Sequence, residues 1–90
     1  MQNNQLDALR NEIDALDSKI VELLSARLSL VESVAQTKLK MGLGIKDQKR
    51  EREILKKITC PYSAEVREIY QKIFEASLKL QIDFWAHFEK

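Results

Sequence analysis

Arg27 and Lys38 lie eleven residues apart, with Val31 and Val34 between them at i+4 and i+7. On a helix these four side chains share one face, the cations about 16 Å apart over a valine floor. Long cationic side chains can lean inward from both ends of such a floor, over a small anion. Arg27 is also out of place in a second pattern. Apolar residues recur at Leu6, Leu9, Ile13, Leu16, Ile20 and Leu23, then at Leu30 and Val34. That 3-4 spacing is the seam of a helix that packs on other helices, and position 27 belongs to it. A guanidinium in an apolar seam is costly unless a carboxylate meets it, from the protein or from a ligand. It can also serve to fix the register of a helical seam, with Lys38 an ordinary surface charge.

The C-terminal third repeats the anomaly. Ser77 and Gln81 continue the apolar stripe of Val66, Ile69, Tyr70 and Ile73, one turn apart, where periodicity calls for apolar groups. Two uncharged hydrogen-bonding residues on a core-facing stripe need partners, either across a helix pair or on a ligand. Between these regions Asp47, Arg50 and Glu51 fall at i, i+3 and i+4, all on one face of a short helix. An N-cap and a solvated intrahelical ion pair would account for them without any ligand. Arg10 stands 17 residues before Arg27, about 25 Å along a helix, too far for one chain to bring both to one small ligand. If two antiparallel copies of the helix cross near residue 23, Arg10 of one lies beside residue 36 of the other, between Arg27 and Lys38.

No nucleophile–base pairing, phosphate loop, metal-ligand spacing or cofactor motif is visible. The single His87 falls near the C-terminus, where helices fray. The single Cys60, beside Pro61, cannot form an internal disulfide and reads as a structural residue. Chemistry carried by these residues would need no cofactor and no metal, and would work by positioning and electrostatics.

Three helices suffice to present these groups. The first is predicted from about Leu6 to Lys40, uninterrupted by Gly or Pro. Gly42 and Gly44 break it. A short helix from about Gln48 to Ile58 follows, with Asp47 as N-cap. After the Thr59-Cys60-Pro61-Tyr62 connection, Ser63 caps a last helix running to about Phe88. The expected fold class is all-α, one domain over residues 1–90. A 35-residue helix spans about 52 Å, whereas a compact chain of this size has a diameter near 30 Å. The seam must therefore be covered from outside, and a homodimer is the economical solution. A net charge of +1 argues against a nucleic-acid partner. The absence of a long apolar run or signal peptide argues for a cytoplasmic protein without membrane contact.

The residues also form a recognisable pattern. Leu9-Arg10, Ile13 and Leu16-Asp17 lead into Leu23-Leu24-Ser25-Ala26-Arg27. Val34-Ala35-Gln36-Thr37-Lys38, then Asp47-Gln48-Lys49-Arg50-Glu51-Arg52 and Ser77-Leu78-Lys79-Leu80-Gln81 follow. In this order and spacing they resemble the all-helical chorismate mutases, over almost the whole chain. The resemblance implies an intertwined homodimer that rearranges chorismate to prephenate on the way to phenylalanine and tyrosine. It implies that Arg10 of the partner and Arg27 grip the two substrate carboxylates, with Ser77 assisting. Lys38 and Gln81 would donate to the ether oxygen, and Asp47 and Glu51 would hold the ring hydroxyl. Arg50 would line the site and Val34 would form an apolar wall. No fused dehydratase, dehydrogenase or regulatory module is expected within 90 residues.

Two other readings compete. An isochorismate-pyruvate lyase, similar in fold and cationic site, would release pyruvate and form salicylate. The acidic pair Asp47 and Glu51 favours the mutase, because chorismate carries its hydroxyl where they should reach. A non-catalytic helical dimerisation module would tolerate loss of Arg27, Lys38 and Gln81. Retention of every polar position argues against it.

Overall fold

A computed structural model of the protein describes residues 4–88, which form three helices. The first, α1, spans Asn4–Met41; the second, α2, spans Gln48–Lys56; the third, α3, spans Ser63–Phe88. Among the described residues there is no strand, and no helix is long and apolar enough to cross a membrane. The all-α expectation therefore holds, with boundary shifts of one or two residues at most termini. Ser63 is the first residue of α3 rather than its cap. Its N–H donates to Cys60 O at 3.1 Å, closing the turn ahead of the helix.

Each helix end has a local cause. At the end of α1, Gly42 takes φ 70°. Leu43 N–H then donates to Lys38 O at 2.9 Å and Gly42 N–H to Leu39 O at 3.3 Å. These are the two bonds of a Schellman cap, which needs a left-handed residue and so a glycine. At the start of α2, the Asp47 carboxylate accepts Arg50 N–H at 3.0 Å, as the sequence suggests. The far end of α2 stops at Lys56, two residues before the expected Ile58. There the chain tightens, with Lys57 N–H donating to Ile54 O and Ile58 N–H to Leu55 O.

Packing is confined to one half of the molecule. The C-terminal half of α1 lies against α3, burying Ala35 and Phe74 together with Ser77 and Gln81. The Trp85 indole N–H donates to Ala35 O at 2.8 Å and pins the two helices in register. The N-terminal half of α1 projects alone. Its seam residues from Leu6 to Leu23 are 41% to 68% exposed. The chain accordingly measures 60 × 29 × 14 Å, with a radius of gyration of 17.4 Å, against about 12 Å for a compact chain of this length.

Candidate active site

α1 contributes one wall of a cleft, α3 its floor, and α2 with the preceding loop its far side. The cleft encloses about 410 Å³. Eight of the nine residues singled out from the sequence line it: Arg27, Val34 and Lys38 from α1, Asp47, Arg50 and Glu51 at α2, and Ser77 and Gln81 from α3. The ninth, Arg10, is exposed on the projecting half of α1 and lies outside the cleft.

Arg27 is only partly exposed. One guanidinium N–H donates to Ser77 Oγ at 2.9 Å, and Ser77 Oγ donates in turn to Ile73 O at 2.7 Å. Arg27 Cζ lies 6.0 Å from the centroid of the Tyr70 ring, at the outer limit of a cation–π contact. Tyr70 is itself steadied edge-on by Phe74, 5.8 Å away. Serine, one face of an aromatic ring and one turn of α3 thus hold the guanidinium in place. They do not neutralise it. Among the described residues the ion pairs are Arg50–Glu53 and Lys72–Glu75; no carboxylate meets Arg27. Register fixing accounts for the Ser77 bond but leaves most of the guanidinium's five donors unused.

At the other end of the valine face of α1, Lys38 Nζ donates to Ile45 O at 2.6 Å and to Gln81 Oε1 at 3.3 Å. An ammonium can only donate, so this contact fixes which way the Gln81 amide faces. Oxygen points at Lys38, and Nε2 donates to Ser77 O at 3.3 Å. Lys38 has three N–H donors and the Gln81 amide has two. Each keeps one to spare, side by side at the base of the cleft. Gln81 is 8% exposed and Ser77 7%, so hydrogen bonds formed there compete weakly with water. Among the described residues no buried side-chain polar atom is left without a partner.

The trio of Asp47, Arg50 and Glu51 follows its simplest explanation only in part, at the Asp47 N-cap. Arg50 pairs with Glu53 at 3.7 Å on the solvent side, not with Asp47 or Glu51. Glu51 is half-buried against the cleft. Sequence reasoning missed Ile45, Lys46, Ile54 and Phe74, which also line the cavity. Phe74 sits one residue off the stripe chosen from the sequence. Ile45 and Lys46 belong to a loop, where periodicity gives no signal. With Lys46 included, four cationic and two anionic side chains line the cleft. The surplus of two positive charges suits a dianion. A second concavity, bounded by Glu32, Asp83, His87, Leu80 and two phenylalanines, has two carboxylates and no lysine or arginine. It does not suit an anion.

This is an all-helical protein with a cleft that carries two surplus positive charges and, on Lys38 and Gln81, hydrogen-bond donors not used within the protein. Comparison with known proteins agrees with that class. The family described as chorismate mutase type II matches residues 9–82, and the chain belongs to that family. It is 35% identical over 85 residues to a bifunctional chorismate mutase/prephenate dehydratase of Buchnera aphidicola, covering 88% of this chain and 22% of that protein. It is 39% identical over 54 residues to a chorismate mutase of Methanocaldococcus jannaschii, covering 60% of this chain and 54% of that one. Among solved structures, a conserved hypothetical protein from Pyrococcus furiosus superimposes with a TM-score of 0.79 at 38% identity, over 89% of this chain and 99% of that one. The chain thus spans about a fifth of the length of the bifunctional relative.

Proposed function

We propose that this chain is a chorismate mutase, converting chorismate to prephenate at the step that leads toward phenylalanine and tyrosine. The observation that carries the reading is the pair of spare donors on Lys38 and Gln81, set at the base of a cleft with two surplus positive charges. The reaction is an isomerisation. One C–O bond breaks and one C–C bond forms, with no atom gained or lost. Because C–O cleavage runs ahead, negative charge builds on the ether oxygen in the transition state. Donors fixed at that oxygen bind the transition state more strongly than the substrate, and that difference accelerates the reaction. Arg27 would take one substrate carboxylate through its free fork, a geometry that guanidinium suits better than ammonium. Asp47 and Glu51 would accept from the ring hydroxyl, with Arg50 at the rim and Val34 against the ring. Held between these groups, a flexible substrate stays in its compact reactive shape.

The second carboxylate would be met by Arg10 of a second copy. The exposed apolar seam of α1 supports a homodimer, since a face of that length is rarely left in water. Incubating the purified protein with chorismate and with isochorismate, and identifying the products, tests the reading. Prephenate from chorismate is expected. Salicylate and pyruvate from isochorismate, with chorismate untouched, would assign the lyase reaction instead.

A further inference from the structure

A nine-residue helix is too short to persist alone in water, where helices below about 12–15 residues are marginal. α2 has nine residues and none of them is buried, yet with its cap it carries Asp47, Arg50 and Glu51 to the cleft. Its flanking segments show what holds it. Among the described residues, two side chains of other helices hydrogen-bond to α2 or to the segments beside it, and both are cations donating to backbone carbonyls. At the front, Lys38 Nζ donates to Ile45 O at 2.6 Å. At the rear, Arg67 from the second turn of α3 donates through Nη2 to Ile58 O at 2.7 Å and through Nε to Leu55 O at 3.3 Å.

The two tethers are not equivalent. Lys38 lines the cleft, so its ammonium must be shared with any bound anion. Arg67 is exposed and lies outside the cleft lining, so ligand binding leaves its bonds intact. Its planar fork reaches two carbonyls at once, Leu55 O in the last turn of α2, which it shares with Ile58 N–H, and Ile58 O just beyond, where the helix dipole favours a positive charge. Leu55 lies one turn after Glu51, so a bond at Leu55 O restrains the turn that carries the carboxylate.

We propose that Arg67 is a positioning residue: by clamping the C-terminal end of α2 it sets where Asp47, Arg50 and Glu51 stand over the cleft. This rests on the mutase reading for its effect on turnover, but not for its effect on α2. The ring hydroxyl carries no charge that changes during the rearrangement. Contacts to it are alike in the bound substrate and the transition state, and weakening them raises KM while sparing kcat.

Arg67→Met keeps the apolar stem and removes the donors. It is expected to raise KM for chorismate about tenfold, the scale of one lost hydrogen bond to a charged group, with kcat changed less than about twofold. Arg67→Lys supplies one donor and should recover part of the loss. In a Glu51→Ala background the KM effect of Arg67→Met should be smaller than in the wild type, because the share of it that acts through Glu51 is already lost. Hydrogen exchange should accelerate in the α2 amides of Arg67→Met while those of α1 and α3 stay protected. An unchanged KM, fully multiplicative effects in the double variant, or equal loss of protection in all three helices would overturn the proposal. If the wild-type protein does not convert chorismate, the mutase reading fails by itself. Exchange in α2 then decides the clamp: unchanged exchange in Arg67→Met would overturn it.

Discussion

The two halves of α1 invert the usual rule of burial in opposite directions. The N-terminal half exposes leucines and isoleucines, with Leu23 at 68%. The C-terminal half packs on α3 around groups that ordinary cores exclude, with Ser77 and Gln81 at 7% and 8%. A helix running through both has one continuous seam, so the difference lies in what each half must meet. Apolar surface in water is suited to packing on another protein surface. Polar groups held dry, with donors to spare, are suited to a polar ligand. Arg27 sits where one regime passes into the other.

The sharpest way to break this contrast is at the polar end. Lys38→Ala removes both the spare donor and the bond that orients Gln81, and is expected to lower kcat by about 10²–10³. Steady-state kinetics on chorismate measures it, and an undiminished kcat would return the polar core to a purely structural role. The apolar end can be tested by joining the halves of two chains. Arg10→Ala and Arg27→Ala should each be nearly inactive. Refolded together in equal amounts they should regain about a quarter of wild-type activity, since half of randomly paired dimers carry one intact site of two. No recovery would mean that Arg10 does not act across a dimer. The smallest expected effect is none at all. Gln81 carries no ionisable proton and donates without proton uptake, so kcat measured between pH 5 and 8 should not fall as pH rises. A steep loss over that interval would remove Gln81 from the ether-oxygen role.

Much of the architecture was legible because its signals are local. Gly42 and Asp47 mark helix ends through backbone conformation and capping, which depend on neighbours within five residues. The face shared by Arg27, Val34 and Lys38 follows from helical period alone. The end of α2 was less legible, since Ile58 fits the apolar pattern yet lies beyond a C-terminus held by Arg67. Nothing local in the sequence marks Trp85, because its bond to Ala35 O joins positions 50 residues apart. Cys60, read as a structural residue, has an exposed side chain and contributes through its backbone carbonyl.

The sequence by itself determined that three helices form, where they lie to within about two residues, and which polar residues stand on faces that should be apolar. These are properties of spacing and of single residue types. Only the tertiary structure decided what those polar residues do to one another. Lys38 meets Gln81 across 43 residues and Arg27 meets Ser77 across 50, distances at which periodicity carries no information. The register of α1 against α3 brings them within hydrogen-bond reach, and that register is set by close packing at Ala35 and Phe74 and by the indole bond of Trp85. Arg27 is conspicuous in the sequence as a charge in a leucine seam. That no protein carboxylate meets it among the described residues could be learned only from the fold.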